Sequence, residues 1–181
     1  YSDKKNFRKH RFLSESVRTM KELNYFSKIT LSDLEPATKY YYRFSVNGVV
    51  NKESNMLGEF STPSSSPFSY KITLATCANT GSSHPVYDRI REEGSLFYLM
   101  LGDFHYGNIY KDCDEEFLSH YNAALGSIKQ SKLYKSTPVA YMWDDHDYGP
   151  NNSSGLSPNQ DGDVASASFN QPHGMTFDDL G

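Results

Sequence analysis

The sequence predicts a mixed α/β protein: a β-rich first third, then a parallel sheet whose strands alternate with helices. Three observations carry this. Short runs before residue 62 alternate polar and apolar residues, the pattern of half-buried strands. A Ser- and Pro-rich stretch, residues 61–67 (STPSSSP), then interrupts the pattern as a linker would. Beyond it lie three apolar runs, residues 70–77 (YKITLATC), 96–103 (LFYLMLGD) and 138–147 (PVAYMWDDHD), with helical spacing between them. Strand–helix–strand–helix–strand is the order of a parallel sheet with right-handed crossovers.

In the first third, residues 27–31 (SKITL) read as a strand, and so do 41–46 (YYRFSV) and 56–60 (MLGEF). Asn47-Gly48 marks a tight turn between strands. The run Leu34-x-Pro36-x-Thr38-x-Tyr40 resembles the tyrosine corner of fibronectin type III-like sandwiches, in which a Tyr hydroxyl bonds back to nearby backbone. About seven strands are needed for such a sandwich, so residues 1–62 are read as a partial β-sandwich domain, with 63–69 as the linker. The basic residues Lys4, Lys5, Arg8, Lys9 and Arg11 read as a solvated face.

From residue 70 each element has its own signal. Pro85 suits the first turn of a helix, residues 86–93 (VYDRIREE) are amphipathic, and Gly94 stops them. Residues 96–101 are apolar throughout, as in a strand buried on both faces. Asp112 with Glu115 three residues on suggests a capping box, followed by Phe117, Leu118, Tyr121 and Leu125 at helical spacing and Gly126 as a stop. Lys132, Leu133 and Tyr134 lead into the third strand.

Bulk properties narrow the function classes. A chain of 181 residues suits one large or two small domains, and its 37% hydrophobic and 14% aromatic content favours a folded chain over a disordered one. The net charge of −4 with no basic tract argues against duplex nucleic acid as a stable partner. No run approaches ~18 apolar residues, so no membrane span is expected. The chain starts at Tyr1 with no signal-peptide pattern and is expected to be a processed form or a fragment. Cys77 and Cys113 are too few for a disulfide framework. Nothing sets an oligomeric state.

The chemistry collects at the ends of the three apolar runs, where open α/β sheets place their sites. Cys77 ends the first, Asp103 the second with Tyr106 three residues on, and Asp145 and His146 the third. Asp103 follows Gly102, which lets backbone approach a ligand closely. A phenolate such as Tyr106 is a hard anionic ligand, and a bound cation lowers its pKa. The Trp143-Asp-Asp-His-Asp147 block is the most specific piece. Adjacent carboxylates buried without a cation cost several kcal/mol or take up protons, and a metal resolves the conflict. His146 can face a substrate oxygen as proton donor or charge stabiliser. Cys77 can bind a transition metal as thiolate or serve as a small buried hydrophobe. His84 and His105 read as loop residues beside the pocket, and residues 149–155 (GPNNSSG) as an irregular loop at the site.

Gly102-Asp-Phe-His-Tyr106 and Trp143-Asp-Asp-His-Asp147, with Ala75-Thr-Cys77 before them, resemble the alkaline phosphatase D-like (PhoD-like) branch of the calcineurin-type metallophosphoesterases. The Gly-Asp-x-x-Tyr element is also similar to that of purple acid phosphatases. The resemblance covers roughly residues 30–155. It implies a β-sandwich-like domain ahead of the first half of a metallophosphoesterase α/β sandwich, residues 70–181. It implies metal-dependent hydrolysis of phosphate mono- or diesters by a metal-activated hydroxide, on a dinuclear or multinuclear centre of Fe³⁺ plus Ca²⁺ or another divalent cation. Asp103 would bridge the metals, Tyr106 and Cys77 would hold the Fe³⁺-like ion, and Asp145 the divalent one, where many relatives place Asn. His146 would protonate the leaving group or stabilise the phosphoryl oxygens. The implied partner is a small-molecule phosphate ester, and the implied location is extracytoplasmic (periplasmic, secreted or cell-surface). The family also uses later His or Asp ligands. Residues 161–181 offer His173, Asp178 and Asp179 but no Gly-His-x-His pattern, so the chain is expected to stop before the second half of the sheet. A metal-free binding module with a fibronectin-like domain, a different metallohydrolase on the same scaffold, and a fragment inactive alone are the alternatives.

Overall fold

The computed structural model describes residues 1–8, 11–21, 25–53, 56–110 and 113–153. Asp112, His173, Asp178 and Asp179 lie outside these. The chain divides into two compact units, Tyr1–Ser69 and a second that begins at Tyr70.

In the first unit, β1 (Lys39–Tyr42) pairs antiparallel with β4 (Gly58–Ser61), and β2 (Ser45–Val46) with β3 (Val49–Val50). Asn47 and Gly48 turn the second ribbon with φ of 50° and 79°, the left-handed pair that a two-residue hairpin needs. Tyr40 is buried, lies opposite Phe60 and stacks on it with ring centroids 5.5 Å apart. Its hydroxyl accepts a hydrogen bond from the Glu35 N–H at 2.8 Å, the backward tie expected of the corner. The sandwich-like expectation for residues 1–62 narrows here to these two antiparallel ribbons. Residues 27–31 form no strand. Residues 27–30 are all exposed, Ile29 included, and no neighbouring strand among the described residues offers them a ladder. The strand expected over 41–46 breaks after Tyr42, where Arg43 turns to lie over the Phe7 ring at 4.9 Å.

The second unit holds a parallel sheet in the order β5 (Ile72–Ala75), β6 (Phe97–Met100), β7 (Val139–Tyr141). The α1 helix (Val86–Glu92) connects the first pair, with Pro85 at its N-cap. Two helices connect the second pair: α2 (Asp114–Gly126) and α3 (Ile128–Ser136). The α2 helix starts after Cys113, which gives no side-chain cap. The α3 helix was not anticipated. Ser127 caps it by accepting the Gln130 N–H, so Gly126 ends one helix only to let the next begin.

Burial on β6 alternates, which departs from the expectation of a strand covered on both faces. Tyr98 and Met100 are fully buried, and Phe97 and Leu99 are half-buried. The buried pair packs with Tyr87 of α1, Ala124 of α2, Leu133 of α3 and Phe104 in one cluster, against which Tyr121, Tyr134 and Tyr141 close. Each large apolar side chain buried this way stabilises the unit by about 1.5–3 kcal/mol. The helices thereby clamp one face of the sheet and leave its carboxyl edge to the loops. No helix among the described residues is long and apolar enough to cross a membrane.

Candidate metal centre

All three strand ends meet. The segment after β5 stays in register with the one after β6: the Cys77 N–H donates to the Gly102 carbonyl at 3.2 Å, and the Ala78 N–H to that of Asp103 at 3.0 Å. Cys77 and Asp103 both sit in the left-handed region, with φ of 59° and 54°. Gly102, at φ 105°, is required by a close approach, because a Cβ there would lie 2.3 Å from Cβ of Asp144. The glycine expected to admit a ligand therefore admits the tip of the neighbouring strand.

The third strand is shorter than expected. The block after it wraps into one turn of helix, α4 (Asp145–Tyr148), under a capping box: Asp144 caps the turn, and Asp147 reaches back to the Asp144 N–H at 3.0 Å. The turn carries Asp145 and His146 to Asp103. One ligand atom each from Asp103, Asp145 and His146 lies within 4.8 Å of the others. Asp103 and His146 are each only 2% exposed, and Asp145 is half-buried. The Asp103 carboxylate accepts the His146 N–H at 3.2 Å. The Asn152 N–H bonds to Asp145, drawing residues 149–153 of the following loop over the turn.

Cys77 and Tyr106 join the group. The Cys77 thiol is exposed, contacts Thr76 Oγ1 at 3.4 Å and lies near enough to influence the titration of both Asp103 and Tyr106. The Tyr106 N–H is held by Thr80 Oγ1 at 2.7 Å, and its ring covers that of His146 with centroids 4.2 Å apart. Of the two other histidines, His84 is exposed and its Nδ1 accepts the Val86 N–H at the start of α1. His105 lies in the loop after β6, as expected, and is wholly buried.

The electrostatics divide the acids. Burial raises the Asp103 pKa, helped by the Asp145 charge, against the pull of the His146 N–H. Burial pushes Asp145 the same way, but the Asn152 N–H, the His146 charge and the Asp103 hydrogen bond outweigh it and hold it below the usual range. Of the two acids, Asp103 is thus the one shifted toward holding a proton and Asp145 the one shifted toward staying ionised. Tyr106 is raised by its contact with the Cys77 thiol and by nearby negative charge. A cation would displace these protons. The donor set fits one: two carboxylates, a buried His146 Nε2 with no hydrogen-bond partner among the described residues, and a phenol and a thiol alongside.

Two residues behind this group escaped sequence reasoning. Asp147 is 1% exposed and accepts the N–H groups of Asp103 at 2.8 Å and Asp144 at 3.0 Å, and the Tyr121 hydroxyl at 2.9 Å. It ties the end of β6 to the end of β7. The Asp144-x-x-Asp147 spacing was a legible capping signal. His105 accepts the Gly107 N–H at Nδ1 (3.2 Å) and stacks on His120. Burial, with the charges of His120 and His146, lowers its pKa from 6.5 to about 4.

That shift has a pH consequence. A histidine kept neutral by folding contributes stability that is fully present above its unfolded pKa and is lost as pH falls through its folded one. His105→Asn keeps an acceptor for Gly107 and removes the titration. Between pH 6.5 and about 4 the wild-type chain is expected to lose about 2–3 kcal/mol more stability than the variant. Urea midpoints across that range in metal-free protein would read the difference, and equal slopes would refute it.

No family model matches the sequence, and no curated protein does. Among solved structures the chain is similar to one described as "Structure of PhoD", with a TM-score of 0.69 and 19% identity over 90% of this chain. The match spans 34% of that chain's length. The two share a fold over the matched residues.

Proposed function

We infer that this chain is part of a PhoD-like metallophosphoesterase that hydrolyses phosphate mono- or diesters. The single observation carrying this is the meeting of Asp103, Asp145 and His146 at the carboxyl edge of a parallel sheet in a chain that shares the fold of PhoD. Cations held there would neutralise phosphoryl charge and lower the pKa of water. Asp103, Cys77 and Tyr106 would hold an Fe³⁺-like ion, and Asp103 and Asp145 would hold Ca²⁺ or another divalent ion. The Tyr106 ring and the loop through Asn152 flank the acids and orient what enters. His146 holds or moves a proton at Nε2. The fibronectin-like descent of residues 1–62, the boundary at 63–69, the extracytoplasmic location and the small phosphate-ester partner belong to the same reading.

A second reading of one residue rests on geometry. His146 groups with the acids closely enough to be a ligand itself. Elemental analysis and turnover separate the readings in the longest form of the protein. Iron or another transition metal and hydrolysis of aryl phosphate over aryl acetate are expected. Absence of metal, or preference for the acetate, overturns the assignment. In His146→Ala, retained metal with lost turnover marks a proton donor, and lost metal marks a ligand.

A further inference from the structure

Three histidines in the second unit converge on one glycine. The Gly107 N–H donates to Nδ1 of His105 at 3.2 Å, and the Gly107 carbonyl faces Nδ1 of His146 at 3.3 Å. The third ring, His120, lies against the glycine itself: a Cβ there would sit 2.5 Å from its Cε1 and Nε2. His120 also stacks on His105, with centroids 5.2 Å apart and planes 24° off parallel.

An amide N–H only donates and a carbonyl oxygen only accepts. The two contacts therefore demand opposite neutral tautomers. His105 must present a lone pair at Nδ1, so its proton is on Nε2. His146 must present N–H at Nδ1, so its only lone pair is on Nε2. Both Nε2 atoms are buried without a hydrogen-bond partner among the described residues, so the contacts at Nδ1 are the ones the described residues offer to select each tautomer. A free neutral imidazole side chain favours the proton on Nε2, which makes the His146 state one that the fold imposes.

The geometry points to Gly107 as a positioning residue whose peptide sets the His146 tautomer, leaving Nε2 as the one nitrogen able to bind a cation or accept a proton. This is how a histidine is oriented for such work elsewhere: the partner of one ring nitrogen decides what the other can do. The chemical consequence rests on the proposed function of the site; the tautomer does not. In its neutral form His146 is a lone-pair donor, and it can give a proton from Nε2 only as imidazolium. His120 crowds position 107, so a side chain there must displace either this ring or the peptide that holds the other two.

The test reads the tautomer directly. The full chain is labelled with ¹⁵N-histidine and kept metal-free at about pH 9, above the usual imidazole range near ~6.5. Long-range ¹H–¹⁵N correlations are recorded, and signals are assigned by their loss in His105→Asn and His146→Asn. The expected pattern is Nδ1–H for His146 and Nε2–H for His105. In Gly107→Ala the His146 signals should move to a mixture of forms, and Gly107→Ala/His120→Ala, with the obstructing ring gone, should return them. A predominantly Nε2–H His146 in the unmodified chain overturns the proposal, and so does an unchanged pattern in Gly107→Ala. If Gly107→Ala does not fold, His120→Ala decides. The Nδ1–H state should persist there, and its loss would assign the control to His120 instead. The measurement needs neither metal nor substrate, so its failure is distinct from a failure to find phosphoesterase activity.

Discussion

Asp147→Ala is expected to destabilise the chain by about 3–5 kcal/mol, the largest effect of any single change at the site. The carboxylate is 1% exposed and answers the N–H groups of Asp103 and Asp144 and the Tyr121 hydroxyl. Each buried donor left without an acceptor costs about 1–3 kcal/mol, and such losses within one network do not add fully. Burial raises the Asp147 pKa, and its hydrogen-bond donors only partly offset that. Asp147→Asn keeps one acceptor in the same shape and is expected to lose about 1–2 kcal/mol. Urea unfolding followed by circular dichroism measures both. A loss below about 1 kcal/mol for the alanine variant would mean the strand ends hold together without this clasp.

Asp103→Asn is expected to leave the fold intact and remove metal binding. Asparagine copies the shape of the protonated carboxyl, which is the form that burial and the Asp145 charge already favour in metal-free protein. It can still accept the His146 N–H. Metal-free stability should therefore change by no more than about 0.5 kcal/mol. Without the charge the site cannot bridge cations. Affinity for Mn²⁺ should fall at least ~100-fold, at or beyond the top of the range that outer-shell partners cost, and turnover in the longer protein should vanish with it. Calorimetric titration of both forms checks this, and unchanged affinity would remove Asp103 from the bridging position.

What could be read in the sequence was the part governed by chain-local pattern. The three apolar runs ending in Cys77, Asp103 and the Asp145-His146 pair were visible because a parallel strand carries most of its apolar residues in one stretch, and the structure groups Asp103, Asp145 and His146, with the Tyr106 ring over His146. Pattern failed where a tertiary partner decides. Residues 27–31 alternate as a strand should but have no ladder to join. The α3 helix was hidden because its buried side chains are Gln130 and Leu133 while Ile128 faces water, so no apolar stripe marked it. Asp147 and His105 looked like members of a polar block and a loop. The closing of β6 against β7 makes one a clasp, and the packing of α2 against the loop makes the other a buried ring. The strand expected to run through residue 147 stops at Tyr141 because a capping box can satisfy the freed backbone with side chains already there.

The torsion angles at Cys77 and Asp103 have an energetic consequence. A left-handed backbone costs a residue with a β-carbon on the order of 1 kcal/mol, and glycine almost nothing. The thiol at the mouth of the first strand is thus carried on a backbone that glycine would adopt free of steric cost, so part of the strain in this loop sits under the very group proposed to meet a cation.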